Sequence, residues 1–270
     1  MPMNPRLLRP TSSTLDSDAA VYLNAVAQAD GQQLEPAVRK AINDFVVGCK
    51  QDNLWSAIKA SCILAGARTL NGALTPLRGS APTNNGPFVS GDYARGGATP
   101  GLLGNGTSKY LNTNYAFTST LQNNRHAAIR VSALQLSASH AYFGSSNAGS
   151  GSAFSQLVAA NAAETFLISR LADETGNTSA TANNVVGFQG LSRSGSASYI
   201  RRANQTDQTI TQASVSANDN NMFLFARNFG GPSLYTSARL AFYSFGESLN
   251  LSLLDARVSA LITAIEAAIP

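Results

Sequence analysis

Arg239-Leu240-Ala241-Phe242-Tyr243-Ser244-Phe245 carries large apolar side chains on both of its alternating sets. That pattern belongs to a strand covered on both faces. Gly246 ends the run, and beyond it Leu254, Val258, Leu261, Ile262, Ile265 and Ile269 recur at helical spacing along one stripe. Ser252, with Asp255 three residues on, has the form of a capping box in which Asp replaces the longer Glu. Residues 238 to 269 therefore read as one strand running into one helix.

Working back from this pair, residues 110 to 245 are β-dominated. Apolar pieces at 126–133, 140–143, 154–159, 165–171, 185–191, 197–202, 207–213 and 221–227 are separated by turn signals such as Gly144-Ser145-Ser146-Asn147 and Thr175-Gly176-Asn177. Many short strands without intervening helices predict a sandwich rather than βαβ units. The alternation in Thr206-Asp207-Gln208-Thr209 predicts an edge or outer-face strand. Residues 67 to 109 are loop-rich, punctuated by Asn71-Gly72, Asn85-Gly86-Pro87, Gly96-Gly97 and Asn105-Gly106, with short strands expected at Phe88-Val89 and Leu102-Leu103.

Residues 16 to 66 read as a helical lead-in. Asp16 or Ser17 can cap a helix running through Tyr22, Leu23 and Val26 to Asp30-Gly31. A second begins at Pro36 and buries Val38, Ala41, Ile42, Phe45 and Val46. A third is expected from Asp52-Asn53 through Trp55, Ile58, Cys62, Ile63 and Leu64, with Trp55 as a packing anchor. Residues 1 to 15 contain three prolines, all within the first ten residues, and Leu7 and Leu8 lie between Arg6 and Arg9. They read as an extended docking arm, since a floppy tail is usually more polar.

Two internal stretches carry a resemblance. Gly48-Cys49-Lys50-Gln51-Asp52-Asn53-Leu54-Trp55-Ser56 looks like the helical lead-in of phage tail-fibre and virion proteins, with Ala57 where that pattern often has Lys. Gly104-Asn105-Gly106-Thr107-Ser108-Lys109-Tyr110-Leu111-Asn112-Thr113 is similar to an element of the same proteins. With the closing strand and helix, the three segments span roughly residues 40 to 265, in the order found in phage proteins with a concanavalin A-like (laminin-G-like) sandwich. The resemblance implies a mainly β fold: an antiparallel concanavalin A-like β-sandwich (jelly roll) with an N-terminal helical lead-in and a C-terminal helix. The expected organisation is an anchoring arm over 1–15, the lead-in over 16–66 and the sandwich with its closing helix over 67–270.

Composition narrows the functions. Charged residues make up 13% of the chain and the net charge is +4. No block of basic residues exceeds Arg201-Arg202, which argues against nucleic acid. Residues 93 to 163 hold no carboxylate, yet include Arg95, Lys109, Arg125 and Arg130. This reads as a weakly basic sandwich face, the alternative being a patch for an acidic glycan or an acidic neighbouring subunit. No apolar run approaches a membrane span, and the first ten residues lack the apolar region of a secretory leader. Cys49 and Cys62 read as free thiols, with a Cys49–Cys62 bridge as the alternative.

Motifs for chemistry are missing. No Glu-x-Asp-x-x-Glu pattern supplies a glycosidase pair, and adjacent Asp173 and Glu174 would point to opposite faces of a strand. His126 and His140 have no nucleophile elbow near them, Gly149-Ser150-Gly151-Ser152 reads as a linker, and Asn218-Asp219-Asn220-Asn221 as a turn. No cofactor, metal or catalytic residue is assigned. The best groupings for sugar contact are Tyr93 with Arg95, Tyr110, and Tyr199 with Arg201 and Arg202.

The resemblance implies a virion structural protein assembled in the host cytoplasm. The leading expectation is a short tail fibre or tail-tip appendage, attached through Arg6, Leu7, Leu8 and Arg9 and presenting a lectin-like sandwich for host adhesion. Its expected partners are other virion proteins (baseplate, tail or capsid), further copies of itself as a homotrimer, and a host surface glycan, with no nucleic acid and no membrane insertion. A capsid decoration (cement) protein is the alternative, since no heptad shaft is present. A glycan-degrading enzyme is the third.

Overall fold

The structure is a computed structural model that describes residues 15–134, 139–146, 154–160, 166–174, 177–178, 184–216 and 220–269. Its elements in order are α1 (Ser17–Asp30), α2 (Pro36–Gln51), β1 (Ile58–Ile63), α3 (Leu70–Ala73), β2 (Thr83–Asn85), β3 (Tyr93–Ala94), β4 (Gly101–Leu103), β5 (Tyr110–Ala116), β6 (Arg125–Ala133), β7 (His140–Ser146), β8 (Phe154–Ala160), β9 (Phe166–Asp173), β10 (Asn177–Thr178), β11 (Gly187–Arg193), β12 (Ser198–Ala203), β13 (Thr206–Thr211), β14 (Asn221–Leu224), β15 (Arg227–Phe229), β16 (Pro232–Ser233), β17 (Arg239–Gly246) and α4 (Leu251–Ala268).

Two sheets form. The first runs β13-β12-β11-β6-β17-β4-β3, with β1 also paired to β17; the second runs β10-β9-β8-β7-β14-β5-β2 and carries the β15–β16 hairpin at β7. All described pairings are antiparallel except β15 with β7. The fold is the expected mainly β sandwich, with N-terminal helices and a closing C-terminal helix.

The strand β17 explains why both of its faces are apolar. Leu240, Tyr243 and Phe245 enter the core between the sheets, with Ile129 and Val131 of β6, Leu157 of β8 and Leu224 of β14. Ala241 and Phe242 enter a second core, built with Val26 of α1, Phe45 of α2 and Val258 and Ile262 of α4. The molecule is thus three layers: helices, first sheet, second sheet. The β17–β6 register slips between Leu240 and Phe242. Such a bulge lets Leu240 and Tyr243, three residues apart, share one face.

Local signals set the helix ends. The Asp16 side chain accepts from the Asp18 N–H at the start of α1, and Gly31 closes that helix in the left-handed region at φ 71°. In α4 the cap is Asn250, whose side chain accepts from Ser252 and Leu253 N–H. This corrects the Ser252–Asp255 box, because Asp255 instead pairs with Arg202 at 2.8 Å.

The third helix is also corrected. Asn53 takes φ 59°, which ends the helical path, and Ile58–Ile63 is β1, paired antiparallel with Phe242–Gly246. Spacing of apolar residues at 55, 58, 62 and 63 fits a helix. A strand buried on both faces shows no alternation, so the open edge of β17 decides the outcome. Trp55 anchors as expected, 8% exposed, with its indole N–H donated to Asp18 at 2.9 Å. Cys49 and Cys62 are free and buried. Phe88-Val89 forms no strand, whereas Tyr110–Ala116 does. No helix among the described residues is long and apolar enough to cross a membrane.

His126 lies in β6 and is fully buried. Nδ1 faces the Glu247 carbonyl, which can only accept, so Nδ1 carries the proton and Nε2 accepts from the Ser244 hydroxyl at 2.8 Å. Burial holds its pKa down at about 4. A base with a depressed folded pKa leaves stability intact above its unfolded value near 6.5, and stability is lost as pH falls toward 4. Asp173 has the opposite sign: burial raises it to about 6, so its contribution is complete below its unfolded value and lost as pH rises through 6. The two slopes overlap, so a variant separates them. The stability advantage of the native chain over His126→Gln should shrink by roughly 2–3 kcal/mol between pH 7 and pH 4, measured by urea unfolding. A gap independent of pH would contradict the neutral buried imidazole.

Candidate functional site

The sequence-predicted groupings do not form one site. The Tyr93 hydroxyl donates to the Ala67 carbonyl at 2.8 Å, and burial pushes it well above the ordinary phenol range. Arg95 forks onto both carboxylate oxygens of Glu35 at 3.0 and 2.7 Å and also reaches the Gly66 and Ala67 carbonyls. The Arg95 guanidinium holds Glu35 below its usual pKa. This pair clamps the start of α2 to the edge of the first sheet, which is a structural task.

Tyr199 and Arg201 point inward. Tyr199 is 1% exposed with its hydroxyl on Ser169, and Arg201 is 2% exposed, donating to the Leu167 carbonyl and Gln208. Alternation puts Arg202 on the opposite face. There it joins Asp255 of α4 and Asp207 at 2.8 Å each. Arg202 lines a cleft of about 450 Å³ between the first sheet and α4, with Arg130, Asn204, Gln205 and Ser259. The four basic residues of the carboxylate-free segment scatter: Arg95 to Glu35, Lys109 to Asp92, Arg125 into the interior, Arg130 to this cleft. They form no patch. Arg6, Leu7, Leu8 and Arg9 lie outside the described residues, as do 149–152, 175–176 and 217–219.

Tyr110 is the sequence-predicted residue that leads to the strongest site. Its ring packs on Phe223 at 4.6 Å and faces Tyr235 at 6.2 Å. Phe223 begins a row across the outer face of the second sheet: it pairs with Gly144, Gly144 with Gln156, and Gln156 with Arg170. At normal strand spacing the row spans roughly 15 Å. The stem of Arg227 lies over Gly144; a Cβ there would meet Gln156 Cβ at 2.9 Å and Arg227 Cγ at 3.1 Å. Glycine is required for that approach.

At the far end the Arg170 guanidinium lies 4.3 Å from the Phe154 ring, and that of Arg227 lies 4.8 Å from Phe229. The two rings are nearly parallel, 13° apart with centroids 5.9 Å apart. The floor holds unmet polarity: Gln156 is 3% exposed, and its Oε1 and the Arg170 Nε have no hydrogen-bond partner. Phe229 on the rim is 38% exposed. Aromatic faces beside an unsatisfied amide oxygen and guanidinium N–H groups suit a polyhydroxylated ligand with apolar ring faces. The row contains no carboxylate, and no group of three or more metal-ligating side chains occurs among the described residues.

Sequence reading missed Gln156, Arg170, Phe154, Arg227 and Phe229. These residues come from three strands, β8, β9 and β15, and only sheet register brings the three together.

No protein-family model matches the chain, and no curated protein matches it. Solved structures with similar folds include the Ruminococcus gnavus IT-sialidase CBM40, at 15% identity over 50% of this chain and 83% of that one, TM-score 0.39. A Trypanosoma rangeli sialidase in complex with sialic acid matches at 8% identity over 76% of this chain and 33% of that one, TM-score 0.49. The binding domain of botulinum neurotoxin serotype D matches at 11% identity over 76% and 51%, TM-score 0.46. The sandwich is defined by this chain's own sheet pairing and two cores, independently of these matches.

Proposed function

We propose that this chain is a phage virion structural protein, a tail-tip appendage or short fibre, which uses the outer face of its second sheet to hold a host surface glycan. The observation that carries the binding part is the Tyr110–Phe223 aromatic end running into a floor where Gln156 Oε1 and Arg170 Nε lack partners. The virion part rests on the resemblance of residues 48–56 and 104–113. Anchoring through residues 1–15 and assembly as a homotrimer belong to the same proposal.

The reading is binding rather than catalysis. Glycoside hydrolysis needs two carboxyl groups flanking the scissile bond. Four acids of the described surface are engaged elsewhere: Asp52 by Arg257, Asp92 by Lys109, Glu35 by Arg95 and Glu247 by Lys59. Purified full-length chain should bind host-surface polysaccharide without releasing reducing sugar, and Tyr110→Ala should weaken that binding about tenfold. Failure to bind any host polysaccharide, or reducing-sugar release by the chain, overturns the reading. Copy number per particle separates a tail appendage, at tens or fewer, from capsid decoration, at hundreds.

A further inference from the structure

We infer that the glycan carries a carboxylate, and that its acid group is held between the guanidinium groups of Arg170 and Arg227. This deepens the glycan-binding reading and rests on it.

The fold brings the two cations together from distant segments. Arg170 stands beside Gln156 in the row, and the Arg227 stem packs against the other flank of the same region over Gly144. Each guanidinium rests on its own ring, Phe154 or Phe229. An aromatic face fixes the plane of a guanidinium and leaves its edge N–H groups to donate. Neither arginine has an ion-pair partner among the described residues, unlike Arg68, Arg95, Arg202 and Arg257. Among the described residues the Arg227 guanidinium donates only to the Ser233 hydroxyl, at 3.4 Å.

The pair is electrostatically unfavourable when empty. Burial, and then the charge of Arg170, lower the pKa of Arg227. Asp173 is close enough to feel the charge of Arg170, but it is buried, and its Oδ2 takes the Leu171 N–H and faces Arg193. An anion arriving from solvent would relieve the repulsion, and a planar carboxylate matches the donor edges of guanidinium groups. Gln156 Oε1, buried without a donor, would accept from a ring hydroxyl of the same sugar. The acid thereby fixes orientation, while Tyr110 and Phe223 take neighbouring units.

The test uses the full chain and a panel of immobilised uronic-acid oligosaccharides, the same oligosaccharides after reduction of each carboxylate to a primary alcohol, and sulfated dextran. Carboxyl reduction is expected to weaken binding roughly tenfold to a hundredfold. Arg170→Ala and Arg227→Ala should each weaken binding of the acid form to a similar degree and that of the reduced form much less, so that the preference for the acid form is lost; an unchanged urea-unfolding midpoint reports that the variants are folded. Equal binding of acid and reduced forms overturns the inference and leaves glycan binding standing. So does acid binding unaffected in both arginine variants, and tighter binding of sulfated dextran overturns the choice of carboxylate. Binding to no glycan of the panel or of the host overturns the glycan reading, and the inference with it.

Discussion

Phe242→Ala should cost about 3–5 kcal/mol of stability. Phe242 is fully buried on the helix side of β17 and meets Phe45 of α2 edge-on, with centroids 5.7 Å apart. The same core also draws Ala128, Phe188 and Val258 from β6, β11 and α4, so no single element can collapse into the space left behind. Phe242→Leu keeps most of the volume and should cost much less. The loss should fall first on the helical layer, as faster amide exchange in α2 and α4 than in β7 and β8. A loss below about 1 kcal/mol would mean that the helices do not depend on this seam.

Arg193→Met should destabilise by about 3–5 kcal/mol. Arg193 is fully buried between the sheets. Its Nε donates to the Leu171 carbonyl at 2.7 Å, Nη1 to the carbonyls of Gly195, Ser196 and Ser198, and Nη2 to that of Gln212 at 3.0 Å. The side chain pins β9 of the second sheet to the β11–β12 turn of the first. Removing it orphans those buried acceptors and strips Asp173 of a cation at 3.9 Å. Asp173→Asn should be mild by contrast. Burial already raises that carboxyl to about 6, so at neutral pH the amide avoids a cost that the native carboxylate carries. In Asp173→Asn the loss of stability between pH 4 and 6 should flatten, and in Arg193→Met it should extend to higher pH. Urea unfolding of the three chains at pH 4, 6 and 8 reads both effects. A pin that contributes nothing would leave Arg193→Met within about 0.5 kcal/mol of native.

Arg125, Arg193 and Arg201 are among the largest fully buried side chains described. All three are lowered in pKa by burial, Arg125 to about 10. None of this is visible in the sequence, where arginine is ordinarily an exposed residue. Burial turns Arg201 away from the surface: its guanidinium donates to the Leu167 carbonyl across the sandwich and to Gln208 on the neighbouring strand.

What the sequence by itself determined is local. Two apolar sets in 239–245 required a strand covered twice, and the stripes at 38–46 and 254–265 required helices to supply one of the covers. Asp16, Gly31 and Pro36 fixed helix ends through groups only a few residues away. Tertiary structure decided everything that depends on which strand lies beside which. Residues 58–63 became a strand because β17 had an open edge there. Arg201 and Arg202 took opposite faces, and only sheet position said which face was the interior. The row from Phe223 through Gly144 and Gln156 to Arg170 crosses β14, β7, β8 and β9, and its residues are neighbours only through cross-strand register. Register is a long-range property: a slip of one residue would have turned each of these side chains to the opposite face.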